Sequence, residues 1–345
     1  MHQSTKDTTI PAGSWVLITG ATGFIACHVA RQLLKRNYKV RGSVRNLVQA
    51  SWLIDQLFKS HVDRGEFELV EVPDLGAEGA FDEAVKGVSG IIHLATITSL
   101  DPDPRKVIPG TVDGALSVLK AAAEEPSVKE VVYTSSFVAL ILPRAGDTTH
   151  VTQHTWNEAA VEAAWAPPPY EASRSMSTYA ASKVTAEKAV WNFVSEKQPH
   201  YNVNSINPSG VLGEPLHRKH AEAKSNWLNH IWNNKRSLLD PYPAAAYYVD
   251  VKDVALLHVA AMLDPAVQKA RVQAWGNSAH WNEFLAILRE TRPDHAFIED
   301  YPETFHLAVS IDQSEGLSLL KKWAGQEGWR TLRDGIVDSV SNIYF

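Results

Sequence analysis

A single cysteine, Cys27, stands in 345 residues, which excludes an internal disulfide framework and fits a reducing compartment. Long apolar runs are also missing. None approaches ~18 residues, so no membrane span is predicted. There is no excess of positive charge. Lys and Arg number 33 against 39 Asp and Glu, and a formal charge of -6 argues against nucleic acid or an anionic membrane as the partner. The opening segment "MHQSTKDTTIPAGS" is polar and lacks the apolar stretch of a signal peptide. No internal repeat or low-complexity tract interrupts the chain. What remains is an ordinary globular composition, 45% hydrophobic and 21% charged, enough for one large domain or two joined ones. A cytoplasmic enzyme or binding protein is the expectation at this level.

Through the first two-thirds, short β-branched runs alternate with helical patterns. Strands are predicted at 14–19, 38–44, 66–72, 90–95, 128–135 and 201–208, with helices over 25–37, 48–60 and 111–124. Such alternation implies βαβ units, a parallel sheet and helices on both faces, that is, a Rossmann-type doubly wound α/β fold. Residues 137–176, containing "WAPPPY", read as a long irregular insertion, and 209–247 mix polar and aromatic residues. The expected division is a dinucleotide-binding domain of 1–208 and 248–275, with that insertion. A smaller, mostly helical substrate domain takes 209–247 and 276–345. Ligands of open α/β sheets bind at the carboxyl edge, between the two.

Chemistry-bearing residues collect at that edge. "TGATGFIA" (19–26) follows the first strand and opens the first helix. Gly20 permits the tight turn, Thr22 lies in the same loop, and Gly23 lets backbone approach a pyrophosphate. The amides of Phe24 and Ile25 begin the helix, where anions are favoured. The second strand carries "VRGSVRNL" with no acid to receive a ribose 2′-hydroxyl. Arg41 and Arg45 instead suit a 2′-phosphate, which makes NADPH/NADP+ the expected cofactor. Asp74 and Leu75, in "EVPDL", end the third strand, where a carboxylate meets an adenine amino group or simply closes a turn. "HLAT" places Ala95 and Thr96 against the cofactor, with His93 read as a core histidine. "YTSS" leaves Thr134, Ser135 and Ser136 at the edge. "TYAASK" sets Tyr179 and Lys183 four residues apart on one helical face, where an ammonium lowers a phenol pKa and makes it a better proton donor.

Together "TGATGFIA", "TSS", "YAASK" and "YYVDVKDVALLH" resemble the extended short-chain dehydrogenase/reductase family over nearly the whole chain. Within it the chain looks most like the NADPH-dependent carbonyl (aldehyde) reductases of fungi and yeasts, relatives of plant dihydroflavonol reductase. The resemblance implies a Ser136, Tyr179 and Lys183 triad. In it Tyr179 donates a proton to the substrate carbonyl, Lys183 tunes the phenol and bonds the nicotinamide ribose, and Ser136 polarises the carbonyl. Ser135 takes a supporting role. Two departures stand out. Where the family often has a helix Asn that relays protons, this chain reads "GTVDGALSVL", with Thr111 and Asp113 at the plausible positions. The cinnamoyl-CoA reductase signature is absent.

The resemblance also implies that Pro208 and Val211 touch the nicotinamide amide. Leu100, Phe137, Val138, Met176 and Trp227 are expected either to line the substrate pocket or to be plain core. Such a lining favours bulky or aromatic carbonyl compounds, since no cation awaits a carboxylate. His150 and His154 lack a carboxylate partner, so no metal is expected. The resemblance implies a small-molecule carbonyl substrate as partner and, since relatives include both, a monomer or homodimer. Two alternatives stay open: an epimerase or hydroxysteroid dehydrogenase on the same scaffold, and a regulator that senses NADP without turnover.

Overall fold

A computed structural model describes residues 8–223, 226–235 and 245–341. The chain divides into two units. The first comprises 1–142, 155–207 and 255–272, and the second 143–154, 208–254 and 273–345. Segments 248–254 and 273–275, expected in the first, thus belong to the second. Of the expected insertion, only 143–154 leaves the first unit.

The first unit is built on β1 (Trp15–Thr19), β2 (Lys39–Val44), β3 (Phe67–Glu71), β4 (Gly90–His93), β5 (Glu130–Thr134), β7 (Asn202–Pro208) and β10 (Arg271–Ala274). Their order is β10-β7-β5-β4-β1-β2-β3, and the pairings from β3 across to β7 are parallel. This is a Rossmann-type doubly wound sheet, and its strand order reverses between β1 and β4. β1 is apolar along nearly its whole length and β5 is buried throughout, because both faces are covered, so neither shows alternation. One face packs Leu17, Ile91, Val131 and Tyr133 against Val118, Leu119 and Val190. Those last residues come from α4 (Pro104–Glu124) and α6 (Ser175–Lys197), which pack on each other. On α1 (Phe24–Leu34), Ala26, Cys27, Val29, Ala30 and Leu33 are buried.

Three stretches differ from the sequence expectation. α4 begins at Pro104 rather than near 111, because Asp103 caps it by accepting from the Arg105 amide (3.0 Å), and a proline in the first turn forfeits no bond. Pro109 then sits inside the helix, where a proline usually ends one. The helix expected over 48–60 is broken into α2 (Leu47–Ala50), a π-helical turn at Leu53–Leu57 and α3 (Lys59–Asp63). Within 137–176 lies α5 (Glu158–Trp165), whose Ala160 and Ala164 bury small side chains as it packs against α6.

In the second unit β8 (Gly210–Leu212), β9 (Ala245–Asp250) and β11 (Asn277–His280) form a sheet ordered β11-β9-β8, and β6 (His150–Val151) pairs with β12 (Ser310–Ile311). Its helices are α7 (Arg218–Ala221), α8 (Trp227–Trp232), α10 (Trp281–Thr291), α11 (Ser314–Ala324) and α12 (Leu332–Val340). The helix α9 (Val251–Leu263) starts here and runs on into the first unit. The core gathers Tyr248, Trp281, Phe284, Leu288 and Ile336. A Cβ at Gly276 (φ 65°) would fall 2.0 Å from the Tyr248 carbonyl, so only glycine fits that crossing.

Candidate active site

β1 ends at Thr19 and the chain turns at Gly20, whose φ of 67° is left-handed. A Cβ there would stand 3.1 Å from Ala95 Cα, so the absence of a side chain lets the segment after β4 come close. Gly23 is the N-cap of α1 (φ -72°, ψ 155°), and no side-chain hydrogen bond caps the helix. Thr22 and Gly23 are exposed, Phe24 and Ile25 half-buried, and no acid stands in the first turn. A helix start of this kind, beside the point where the strand order reverses, favours an anion.

The Thr19 hydroxyl, which sequence reasoning passed over, organises the end of β4. It accepts from the amides of Leu94 (3.1 Å) and Ala95 (3.0 Å), and therefore donates to His93 Nδ1 (2.9 Å). His93 is thus the Nε2–H tautomer. Burial, with the Lys183 charge nearby, pushes it down to about 3, so it is neutral and stacks on Tyr133 at 5.9 Å. Beyond it, the Thr96 hydroxyl is buried without a hydrogen-bond partner among the described residues.

α6 brings Tyr179 and Lys183 onto one face, and its start is held by the Thr178 hydroxyl donating to the Pro102 carbonyl (3.0 Å). Ala180, Ala181 and Ala186 are fully buried, and their small size lets the helix lie close on its neighbours. Lys183 is 2% exposed, and its ammonium donates to the Thr134 carbonyl at 3.4 Å. Burial lowers it to about 8, and the Glu187 charge acts the other way. Burial raises the Tyr179 phenol above its ordinary value, and a hydrogen bond with the Ser136 side chain partly offsets the rise. The offset expected from Lys183 comes here from Ser136, since the ammonium is turned to the end of β5. Ser136 lies in extended backbone just past β5, and its side chain also accepts from the Val138 amide (3.4 Å). Ser135 faces away and donates to Glu187 Oε2 at 2.6 Å.

A serine bonded to a phenol and an ammonium at the Thr134 carbonyl thus lie at the carboxyl end of β5, and the Gly20 turn lies against Ala95 just past β4. The pattern of the NAD dependent epimerase/dehydratase family matches residues 16–273. The NAD-dependent epimerase/dehydratase terH of Aspergillus terreus is 37% identical over 94% of this chain and 95% of its own. Aldehyde reductase 2 of Sporidiobolus salmonicolor is 33% identical over 96% and 97%. Among solved structures, Gre2 of Candida albicans in complex with NADPH superposes with a TM-score of 0.79 at 28% identity, covering 95% of this chain and 98% of that one. The chain belongs to the NAD dependent epimerase/dehydratase family.

Within this family member the remaining expected residues divide sharply. Arg45 is exposed, just beyond β2. Arg41 lies mid-strand, and its guanidinium is committed to Glu68 (2.6 Å), the Ala84 carbonyl (3.0 Å) and the Lys86 carbonyl (2.7 Å). The Arg41 assignment is therefore corrected: its donors serve β3 and the loop before β4. Asp74 accepts from the Gly76 amide (3.0 Å), closing an Asx turn, while Leu75 packs towards Gly114 of α4.

Of its two expected roles Val138 takes the core one, because it is 2% exposed among Ala160 and Ala180. Phe137 and Met176 stay half-buried, and Leu100 holds a left-handed φ of 51° in the loop after β4. Pro208, Val211 and Trp227 belong to the second unit. There half-buried Trp227 packs over Gly210 and against Tyr248 (5.5 Å) and Trp281 (6.0 Å), which favours the core side of its two expected roles.

The Thr111 hydroxyl is spent on the Val107 carbonyl (2.7 Å) and Asp113 is exposed, so neither replaces the missing helix Asn. His150 pairs with Ser310. A cluster unnoticed in the sequence joins Glu283 to His280 (3.6 Å) and His306 (3.7 Å), with the carboxylate also accepting from the His280 amide. Sequence reasoning also missed Glu187, four residues past Lys183, and its partner Arg271 at 2.8 Å. Continuing the i, i+4 stripe reaches the first, but nothing in the sequence marks the second. Among the described residues, no helix is long and apolar enough to cross a membrane.

Proposed function

We propose that this protein is an NADPH-dependent carbonyl reductase that converts ketones or aldehydes, preferentially bulky or aromatic ones, to chiral alcohols. The observation that supports the reading most is the Ser136–Tyr179 hydrogen bond, with Lys183 one helical turn on from Tyr179 and its ammonium at the Thr134 carbonyl. Three features of the chain suit the dinucleotide: the start of α1 without a side-chain cap, the turn that a Cβ would crowd, and the Thr96 hydroxyl, buried without a partner among the described residues. Gly20, Thr22, Gly23 and the first amides of α1 would hold the pyrophosphate, Arg45 the 2′-phosphate, and Lys183 the nicotinamide ribose. Bound there, the reduced nicotinamide supplies the hydride that the carbonyl carbon receives.

The rest of the reaction falls to side chains. Ser136 donates to the carbonyl oxygen and stabilises the charge that develops on it. Tyr179 gives that oxygen its proton, which a half-buried phenol above its usual pKa retains at neutral pH until the acceptor turns basic. Lys183, charged below about pH 8 and at the Thr134 carbonyl in this structure, would hold the nicotinamide ribose, and the Ser136 hydrogen bond favours the phenolate left behind. Half-buried Met176 and Phe137 give the substrate apolar surface. A buried lone cysteine, its thiol pushed up by burial, is compatible with the cytoplasm.

The test follows loss of NADPH absorbance across a panel of aldehydes and ketones, with Tyr179→Phe as the control. Removing the proton donor while keeping the ring should lower turnover ~10²–10⁴-fold and leave NADPH binding nearly intact. Near wild-type turnover in that variant, or binding without turnover by the wild type across the panel, defeats the proposal. The second result would favour a sensor.

A further inference from the structure

Below Lys183 on α6, a carboxylate is closed off from water with more partners than helix packing requires. Glu187 is 0% exposed. Its Oε1 accepts from Arg271 Nε (2.8 Å), Ser205 (2.9 Å) and Trp191 (3.5 Å). Its Oε2 accepts from Ser135 (2.6 Å), Arg271 (3.0 Å) and Asn207 (3.0 Å). Arg271 spends another amine on the Thr155 carbonyl (2.8 Å) and lies 3.8 Å from the Trp156 ring centroid. Asn207 reaches the Ser136 carbonyl as well (3.4 Å). One carboxylate therefore ties α6 to β7, to β10 and to both serines after β5. Buried ion pairs contribute little net stability, since apolar replacements of similar volume often do as well. The triad supplies a reason for this one.

We propose that Glu187 and Arg271 form a positioning clamp, which fixes the Tyr179–Lys183 face of α6 against Ser136 and keeps a negative charge one helical turn from the ammonium. The proposal rests on the reading of Ser136, Tyr179 and Lys183 as the reacting groups. Glu187 acts through them and does not touch the substrate. The groups facing Lys183 are Tyr179 and Glu187 on its own helix, neutral His93 on β4 and Tyr133 on β5. Arg271 on β10 and His258 on α9 lie further round, the latter bonded to the Thr134 hydroxyl (2.8 Å). Of these, Glu187 is the group that favours the charged lysine, against burial. Removing its charge takes away the carboxylate that offsets burial, so the ammonium should lose its proton at lower pH. Removing Arg271 leaves the carboxylate and should not produce that downward shift.

The experiment compares wild type, Glu187→Gln and Arg271→Gln by two readouts. One is the Lys183 titration in the cofactor-free protein, followed by NMR of ¹³C-labelled lysine. The other is the pH profile of kcat. In the wild type the ammonium should titrate near pH 8, with kcat falling as pH rises through that value. Glu187→Gln should move both down by about one unit or more, and lower kcat at pH 7 about tenfold with KM for the carbonyl within about threefold. Arg271→Gln should show no downward move. An unmoved titration with kcat within twofold in Glu187→Gln overturns the clamp, and so do equal downward shifts in both variants, which a merely structural role would give. Should Glu187→Gln not fold, Ser205→Ala removes one bond to the carboxylate and keeps the ion pair. A several-fold drop in kcat at unchanged thermal midpoint then supports the clamp, and unchanged kcat overturns it. Full turnover by Tyr179→Phe would instead sink the triad reading, while the NMR titration would still report the coupling of Glu187 to Lys183.

Discussion

Cofactor preference gives the sharpest test, because the two arginines of "VRGSVR" are alike in sequence and unlike in place. The strand β2 ends at Val44, so Arg45 follows directly and is exposed. Arg41 lies three residues back, about 10 Å at ~3.3 Å per residue, and faces Glu68 across the β2–β3 pairing. Its Nε and Nη1 donors are spent on Glu68 and two carbonyls, which hold the guanidinium away from the end of the strand. Arg45→Gln should therefore lower the ratio of kcat/KM for NADPH over NADH, and Arg41→Gln should not. A hydrogen bond to a charged group contributes roughly 1.5–3 kcal/mol, and solvent screening argues for the low end. One contact of about 1.5 kcal/mol is about tenfold in that ratio. Arg41→Gln should instead cost ~1–2 kcal/mol of stability, discounted because Glu68 is half-exposed, and leave the ratio within about twofold. Steady-state kinetics with both cofactors, beside thermal melts, separate the two effects. The preference of the wild type should also weaken with added salt. An unchanged ratio in Arg45→Gln, or an equal loss in Arg41→Gln, would refute the reasoning.

Ser136→Ala should cut turnover on the order of 10²-fold, and Ser135→Ala clearly less, since the second hydroxyl is turned to Glu187; equal losses would mean that the roles are shared. Gly20→Val should weaken NADPH binding, measured by fluorescence titration, because a side chain at φ 67° is strained and crowds Ala95; unaltered affinity would remove the turn from the cofactor site. Trp227→Ala should destabilise the protein by about 3–5 kcal/mol, as loss of a packed aromatic does, with the substrate profile unchanged. A changed product chirality at unchanged melting temperature would return Trp227 to the pocket.

Much of this could be read from the residues because local and global signals agree. "WVLIT" is apolar without alternation and is buried on both faces, and "TGATGFIA" joins a strand to a helix as its glycines require. Where the reading failed, two rules competed or a partner was distant. "DPDPRKVIPG" carries prolines that usually stop a helix, yet Asp103 and Pro104 start one there and Pro109 is carried within it. "VRGSVR" offers two cations at helix-independent spacing, and only strand register tells which has left the sheet. Val138 and Trp227 read equally well as wall or core, because apolar character alone does not say which side chain neighbours will cover.

The two serines after β5 show how far a local rule reaches. Successive residues of extended chain point to opposite sides, so "SS" cannot present both hydroxyls to one ligand. Ser136 keeps extended angles (φ -161°, ψ 154°) and meets Tyr179, while Ser135 meets Glu187 on the other side. Period two thus divides the pair into one hydroxyl that meets the Tyr179 phenol and one that meets the Glu187 carboxylate. Period 3.6 divides α6 in the same way, with Tyr179 and Lys183 followed one turn later by the carboxylate that Ser135 reaches. Both divisions are written in the sequence. Arg271, 84 residues beyond Glu187, closes the arrangement by a contact that no periodicity encodes.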